Sequence, residues 1–338
     1  MIMNTDNFIQ RSVDLAAERL GGETLECSDD FFAEMENLLK PGRGIFIEDK
    51  YTERGKWMDG WESRRSYGRD NGRDSDWCLI ALGVPGRILG FDIDTNHFRG
   101  NSPQSISVEA CQSSVKPGKN QSWTVLLSKI AVNPHSQNIF ELEENTDQVW
   151  SHLKLTMFPD GGIARFRVYG DPVADPAQFL HGELIDLAAV KNGGKAIQCS
   201  DMFFSDKNNL LMPGRGVNMG DGWETKRRRD PGPDWSIVKL AFEGSINKVL
   251  IDTAHFKGNY PDRFSLQAFN GSDDDALDSN TNWEDLMPET KLQANHEHTF
   301  TDDVIKSGRF YTHVRLNIFP DGGVSRLRLL GYAANHDN

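Results

Sequence analysis

The chain has 338 residues, with 37 lysines and arginines against 50 aspartates and glutamates and a net charge of −13. This length suggests two domains, and the acidity without a long basic stripe argues against nucleic-acid binding, which needs clustered positive charge. No apolar run approaches the roughly 20 residues that cross a bilayer, and the N-terminal stretch lacks the pattern of a secretory signal. We therefore expect a cytoplasmic protein that binds neither nucleic acid nor membrane.

The chain repeats itself once. Asp14-Leu-Ala-Ala17 and Pro41-Gly-Arg-Gly44 both return 172 residues later, whereas Asp59-Gly-Trp-Glu62 returns after 162 residues. The first copy therefore carries ten extra residues within Ile45–Met58. A period of this length is too long for a solenoid unit and indicates a duplicated domain. We predict copy one over residues 13–171, a Pro-rich linker over 172–183 and copy two over 184–332.

Within each copy the sequence predicts short strands and very little helix. The one helical signal runs from Asp29 to Leu39, capped by Ser28 or Asp29, and its counterpart begins at Ser200. Buried strands are predicted where apolar residues run together or alternate with polar ones. They are Ile88–Asp94, Ser105–Val108, Val249–Asp252 and Phe264–Phe269.

Each copy ends in two alternating runs around a Pro-Asp-Gly turn. Apolar residues alternate over 151–158, the turn Pro159-Asp-Gly-Gly162 follows, and the alternation resumes over 164–168. Residues 313–330 repeat this design. The pattern predicts a β-hairpin in each copy. Many short strands separated by turns indicate an all-β fold, so we predict two tandem β-sandwiches of the jelly-roll kind.

The first candidate site is the Asp-Gly-Trp-Glu loop, which is followed by basic residues. Arginine binds carboxylates through two hydrogen bonds, and a tryptophan face can stack on a planar ureido group, so the loop suits a small polar anion. Alternatively, the tryptophans plug the end of the sandwich and the glutamates pair with arginines. The residues are Trp61, Glu62, Arg64 and Arg65 in copy one, and Trp223, Glu224 and Arg227 in copy two.

The second candidate site is Asp-Thr-x-His-Phe, which closes a buried strand in both copies. An aspartate near a histidine can fix its tautomer and make it a general base. The alternative is a capped strand end with a histidine whose hydrogen bonds are satisfied. The residues are Asp94 and His97 in copy one, and Asp252 and His255 in copy two.

The third candidate is the polar face of the predicted hairpin. A period of two places four basic-type side chains on one face, which predicts either an anion site or salt bridges to a covering loop. They are His152, Lys154, Arg165 and Arg167 in copy one, and His313, Arg315, Arg326 and Arg328 in copy two.

Motifs that bind cofactors or metals are not found. The four cysteines are scattered without CxxC spacing, which indicates neither a disulfide framework nor a structural zinc site. The chain contains no Gly-x-Gly-x-x-Gly, P-loop, Gly-x-Ser-x-Gly or His-Glu-x-x-His. We therefore predict no cofactor and no metal.

With these motifs doubled along nearly its whole length, the chain resembles the allantoicase family. The resemblance implies tandem galactose-binding-like, jelly-roll β-sandwiches and a hydrolase acting on C–N bonds of linear amidines. It also implies that allantoate is split into ureidoglycolate and urea during purine (allantoin) breakdown for nitrogen. The motifs, each with a second-copy equivalent, are Asp14–Ala17, Gly21-Gly22, Ser28-Asp29-x-Phe31-Phe32, Asp59–Arg65, Asp94–Asn101 and Phe158–Gly162.

Given that substrate, the candidate residues acquire hypothetical roles. Arg64, Arg65 or Arg165 binds the allantoate carboxylate, and Arg227 or Arg326 does so in copy two. Either Glu62 or His97 acts as general acid and then as base toward water. Asp94 orients His97. Either one copy dominates catalysis or a single site forms between the copies.

Two other classes of protein remain open. A carbohydrate-binding sandwich would use exposed Trp61 and Trp223, and a glycan-binding assay beside an allantoate assay would distinguish it. A metal-dependent ureide hydrolase would lose activity on chelation, although no strong cluster of metal ligands is seen in the sequence. The exposed faces of a duplicated sandwich could also pair in a homo-oligomer.

Overall fold

The structure is a computed structural model that describes residues 8–66, 74–143, 147–305 and 308–334. Residues 1–7, part of the stretch where the sequence predicts no secretory signal, lie outside it. The chain divides into two compact units. One is Ser12–Asp171, and the other contains the chain from Pro172 onward with the described residues before Ser12.

The described part of the first unit contains one long strand, many short strands and two 3₁₀ helices. The predicted helix over Asp29–Leu39 is wrong in extent, because only Met35–Leu39 is helical, as a 3₁₀ helix. The other 3₁₀ helix is Glu18–Leu20. The strands are β1 (Val13–Asp14), β2 (Glu23–Cys27), β3 (Tyr51–Thr52), β4 (Gly55–Lys56), β5 (Trp61–Glu62), β6 (Asp76–Asp94), β7 (Ser105–Cys111), β8 (Thr124–Ala131), β9 (Gln137–Glu141), β10 (Trp150–Phe158), β11 (Gly162–Ile163) and β12 (Arg165–Pro172).

Among its described residues, the second unit repeats this order without counterparts of β3 and β4, which belong to the extra segment of copy one. Its strands are β13 (Ile185–Asp186), β14 (Lys195–Cys199), β15 (Trp223–Glu224), β16 (Asp234–Asp252), β17 (Arg263–Phe269), β18 (Glu284–Lys291), β19 (Glu297–Phe300), β20 (Tyr311–Phe319), β21 (Gly323–Val324) and β22 (Arg326–Ala333). Its helices are the 3₁₀ turns Pro176–Gln178, Val190–Asn192, Lys207–Leu211 and Met219–Asp221, and α1 (Asp273–Leu277). In the described part of the chain, no helix is long and apolar enough to span a membrane.

One long strand joins the two sheets of each unit. The first part of β6 pairs with β2 and β10, and its last part pairs with β9 and neighbours β12. One sheet is therefore β2-β6-β10-β7-β8 and the other is β1-β12-β6-β9, and β16 does the same in the second unit. The prediction of tandem, all-β, jelly-roll sandwiches is confirmed.

The predicted hairpin is wrong. β10 lies between β6 and β7, whereas β12 lies between β1 and β6, so the two strands belong to different sheets. The turn between them instead forms β11, which pairs with β5. Alternation reports which face of a strand is buried, but it does not identify the partner strand. The four basic-type residues of each copy therefore do not share one face.

Candidate active site

Two loops lie side by side at one end of the first unit, and three contacts hold them together. The Arg43 guanidinium donates from Nε and Nη2 to the Asp94 carboxylate at 2.9 and 3.0 Å. Asn96 Nδ2 donates to the carbonyl of Gly44 at 3.1 Å. The ring of Phe46 stacks on that of His97, with centroids 5.6 Å apart. The loop after β6 is thus fixed against the loop that begins the extra segment.

Arg43 is well placed to bind a carboxylate. Its side chain is 52% exposed although its partner Asp94 is only 3% exposed, and no hydrogen bond is made by its Nη1 within the described residues. Arg215 repeats the arrangement, with Nε 2.8 Å from Asp252 Oδ2. A buried carboxylate thus orients an exposed guanidinium. Neither arginine was among the predicted site residues, although the doubled Pro-Gly-Arg-Gly motif was a signal for them.

Asp94 does not orient His97, contrary to the prediction. Its carboxylate accepts from Arg43 and from the backbone N–H of Asn96 at 2.8 Å. The same holds for Asp252, which accepts from Arg215 and the N–H of Ala254. Each aspartate therefore bonds to an arginine and to the backbone two residues further on, and among the described residues no hydrogen bond joins its carboxylate to the histidine ring.

Each candidate histidine has a left-handed backbone. The φ angles are 71° at His97 and 72° at His255, and the residues that accept their N–H groups, His135 and Asn295, have φ of 51° and 50°. The hydrogen bonds run from His97 N to His135 Nδ1 and from His255 N to Asn295 Oδ1, both at 2.8 Å. Left-handed backbone costs non-glycine residues about 1–2 kcal/mol each, and such strain clusters at functional sites.

Glu62 is a half-buried carboxyl group with one oxygen engaged. Asn101 Nδ2 donates to its Oε1 at 2.8 Å, and Asn259 donates in the same way to Glu224. Burial raises the pKa of the Glu62 carboxyl above its usual value, although the Asn101 hydrogen bond and the Arg65 charge act in the opposite direction. A carboxyl group that keeps its proton more readily is suited to general-acid catalysis.

The tryptophans lie inside the sandwich, so the prediction that they stack on a ligand is not supported. Trp61 and Trp223 are both 0% exposed. Their indole N–H groups donate to the carbonyls of Asp29 and Asp201 at 2.9 and 2.8 Å. They plug the end of the sandwich, which is the alternative that the sequence left open.

The predicted basic substrate-binding residues fall into two groups. Arg165 and Arg326 are 4% and 3% exposed and pair with Asp59 and Asp221 at 2.7 and 2.8 Å. Main-chain carbonyls accept their other hydrogen bonds, so both guanidiniums are buried against loops and are not open to solvent. The exposed group is Arg64, which pairs with Asp29 at 2.6 Å, together with Arg65 and Arg227.

The remaining basic residues of the predicted faces mostly have acidic neighbours. Lys154 lies 3.1 Å from Glu109, Arg167 lies 3.7 Å from Asp14, and His313 lies 3.2 Å from Asp273. Acidic partners therefore account for these three residues, but the carboxylates lie on β7, β1 and α1 and not on the covering loop that was predicted. Arg328 likewise lies 3.6 Å from Asp186, whereas His152 contacts Ser151 and Arg315 donates to Gln267. Across the ranges that the structure describes, no three His, Cys, Asp or Glu side chains are grouped to hold a metal ion.

A buried acid occurs beside Asp94 in the first unit only. Asp92 is 4% exposed, and Gln137 Nε2 donates to one of its oxygens at 2.8 Å. Burial raises the pKa of Asp92 from 3.8 to about 6. The equivalent position in the second unit is Leu250. Ionised Asp92 therefore lowers the free energy of unfolding of the first unit, and the second unit, with Leu250, has no such cost.

Asp92→Asn is expected to stabilise the protein at pH 8 and to leave its stability unchanged at pH 4. Because the folded-state pKa of Asp92 exceeds the unfolded value, wild-type stability falls as pH rises from about 4 to about 6, and the full cost persists above that range. We expect a gain of about 3 kcal/mol in the free energy of unfolding at pH 8. Urea unfolding at both pH values checks this, and an equal gain at pH 4 would contradict it.

Comparisons with known proteins agree with the resemblance in the sequence. The allantoicase repeat family model matches residues 13–173 and 185–334. A probable allantoicase of Pseudomonas fluorescens (strain Pf0-1) is 48% identical over 329 residues, which are 96% of this chain and 97% of that protein. The allantoicase of Dictyostelium discoideum is 43% identical over 333 residues, which are 96% and 88% of the two chains.

Solved structures give the same result. The crystal structure of allantoicase from Saccharomyces cerevisiae superposes with a TM-score of 0.79 at 36% identity, covering 97% of this chain and 96% of that one. This chain thus shares both sequence and fold with these proteins, over both of its repeats. This chain belongs to the allantoicase family.

Proposed function

We propose that this chain hydrolyses allantoate to ureidoglycolate and urea, in the cytoplasm and without nucleic-acid or membrane partners. The observation that carries the proposal is the near-half identity to relatives named allantoicase across both repeats. The first unit supplies the groups that such a reaction needs: an exposed arginine held by a buried aspartate, a histidine on the loop that follows that aspartate, and a half-buried glutamate on β5.

The reaction needs a proton for the leaving group. Allantoate carries a carboxylate and two ureido groups on one carbon. When one ureido nitrogen is protonated, its bond to that carbon breaks, and the electron pair of the other ureido nitrogen stabilises the resulting iminium. Urea leaves with the added proton. Water then adds to the iminium carbon and loses a proton to a base, which gives ureidoglycolate.

The residues of the first unit can be assigned to these steps. Arg43 binds the carboxylate of allantoate through Nη1 and the remaining N–H of Nη2, since a guanidinium matches a carboxylate through paired hydrogen bonds. Glu62 donates the proton to the leaving nitrogen, because its burial favours the protonated form. Asn101 occupies one oxygen of Glu62 and leaves the other for the substrate.

The purified wild-type protein is expected to release urea from allantoate, and failure to do so would refute the proposal. Arg43→Met should lower kcat/KM by about tenfold to a hundredfold, mainly through KM, because it removes charged hydrogen bonds to the carboxylate. Arg43→Lys keeps the charge without the planar fork and should give an intermediate value.

Arg43→Met also leaves Asp94 buried without its partner, so a loss of stability accompanies the loss of binding. Arg215→Met does the same to Asp252 and is the matched control for stability. Both variants are compared with the wild type by thermal unfolding and by urea release at several allantoate concentrations. An unchanged KM in Arg43→Met would remove the carboxylate role.

A further inference from the structure

The loop after the long strand has the same backbone conformation in both units but different side-chain hydrogen bonds. The N–H of His97 is accepted by the His135 ring, and that of His255 is accepted by the side chain of Asn295, both at 2.8 Å. The left-handed φ angles agree within 1° at each pair of positions. The fold therefore requires an acceptor at this position, and an amide serves as well as an imidazole.

The histidine rings have different partners. In the second unit, Nε2 of His255 lies 2.8 Å from the carbonyl oxygen of Gly216, so the ring is tied to the main chain. In the first unit the equivalent carbonyl, of Gly44, accepts instead from Asn96 Nδ2 at 3.1 Å. The residue equivalent to Asn96 in the second unit is Ala254, which has no side-chain donor.

Because Asn96 occupies the Gly44 carbonyl, the imidazole of His97 does not make the main-chain hydrogen bond that the His255 ring makes. The His97 ring packs against Phe46, with centroids 5.6 Å apart and planes inclined by 24°, and lies 5.5 Å from the His135 ring. Within the described residues its nitrogens make no hydrogen bond. Phe46 belongs to the extra segment that only the first copy has. A half-buried imidazole with both nitrogens available can exchange a proton with a ligand or water.

We infer that the first repeat alone carries the catalytic base, which is His97, and that Asn96 is the positioning residue that keeps its ring off the Gly44 carbonyl. The inference rests on the proposed allantoate hydrolysis. As the oxygen of water bonds to the iminium carbon, the C=N electron pair moves to nitrogen and a proton of water passes to His97. Glu62 has given one proton and His97 has gained one, and exchange with solvent restores both.

The test replaces each repeat's residue with that of its twin. Asn96→Ala should lower kcat for urea release at least roughly tenfold without changing KM, because His97 then bonds to Gly44 as His255 bonds to Gly216. His97→Gln should lower kcat about 10²–10⁴-fold. The matched control, Ala254→Asn, should keep kcat within about twofold of wild type, since it alters only the second repeat. Thermal unfolding of each variant shows whether the fold is retained.

An NMR measurement separates positioning from a structural role. Imidazole ¹⁵N shifts should show His97 without a carbonyl partner in the wild type and with one in Asn96→Ala. The inference is overturned if Asn96→Ala keeps wild-type kcat, or if Ala254→Asn lowers kcat equally. A wild-type protein that releases no urea refutes the proposed function instead, and the NMR comparison then still tests whether Asn96 frees the ring.

Discussion

Glu62→Gln protein is expected to release urea from allantoate about 10²–10⁴-fold more slowly than the wild type, with KM nearly unchanged. Glutamine has almost the same shape as glutamate, and its amide oxygen can still accept from Asn101. It cannot transfer a proton to the leaving nitrogen. Because burial of the carboxyl raises its pKa, the substitution should not lower the free energy of unfolding.

The matched control is Glu224→Gln, which removes the same group from the Asn259 pair of the second repeat. If the first repeat carries the reaction, Glu62→Gln should cause the much larger loss of kcat. Equal losses in the two variants would argue for a shared or doubled site and against dominance of one repeat. Near wild-type kcat in Glu62→Gln would remove the general-acid role from this residue.

Gly162→Ala is expected to lower the free energy of unfolding by about 3–4 kcal/mol. A Cβ atom at Gly162 would lie 2.0 Å from Cε1 of Phe98, a ring with no exposed surface. Phe98 follows His97 directly, so a displaced ring also moves the loop that carries the candidate base. Urea release should therefore fall together with stability, as measured by chemical unfolding and by kcat.

A second substitution checks the cause of that loss. Phe98→Leu is smaller, and in the Gly162→Ala background it should recover part of the stability, so the two effects should not add. Gly323→Ala reproduces the clash in the second repeat, where Cβ would lie 1.9 Å from Cε1 of Phe256. Stability equal to wild type in both glycine variants would contradict the packing that the structure shows.

The sequence predicted the duplication because identical motifs recur along the chain, and it predicted the β-sandwich because alternation within a strand is a local signal. Alternation over residues 151–158 identified β10, but the doubled Asp-Gly-Trp-Glu was interpreted as a loop, whereas its last two residues form the short strands β5 and β15. The sequence could not identify β6 as the neighbour of both β10 and β12, since strands that pair lie far apart in the chain. For the same reason the hairpin prediction failed.

The candidate site was predicted in part. His97 and Glu62 were proposed from their repeated motifs and stay proposals, but Arg43 lies 51 residues from Asp94 in the chain and nothing local connects them. His135 and Asn295 were missed because the two copies use different residues for the same hydrogen bond. Burial of Trp61 and Arg165 likewise depends on loops that are distant in sequence.

The long strand has a consequence for how each unit resists unfolding. Because β6 belongs to both sheets, neither sheet of the first unit can separate without breaking the ladder of the other. Asp94 is the last residue of that strand. Asp94, which holds Arg43, therefore unfolds only when the whole sandwich unfolds and not with local fraying of a surface loop.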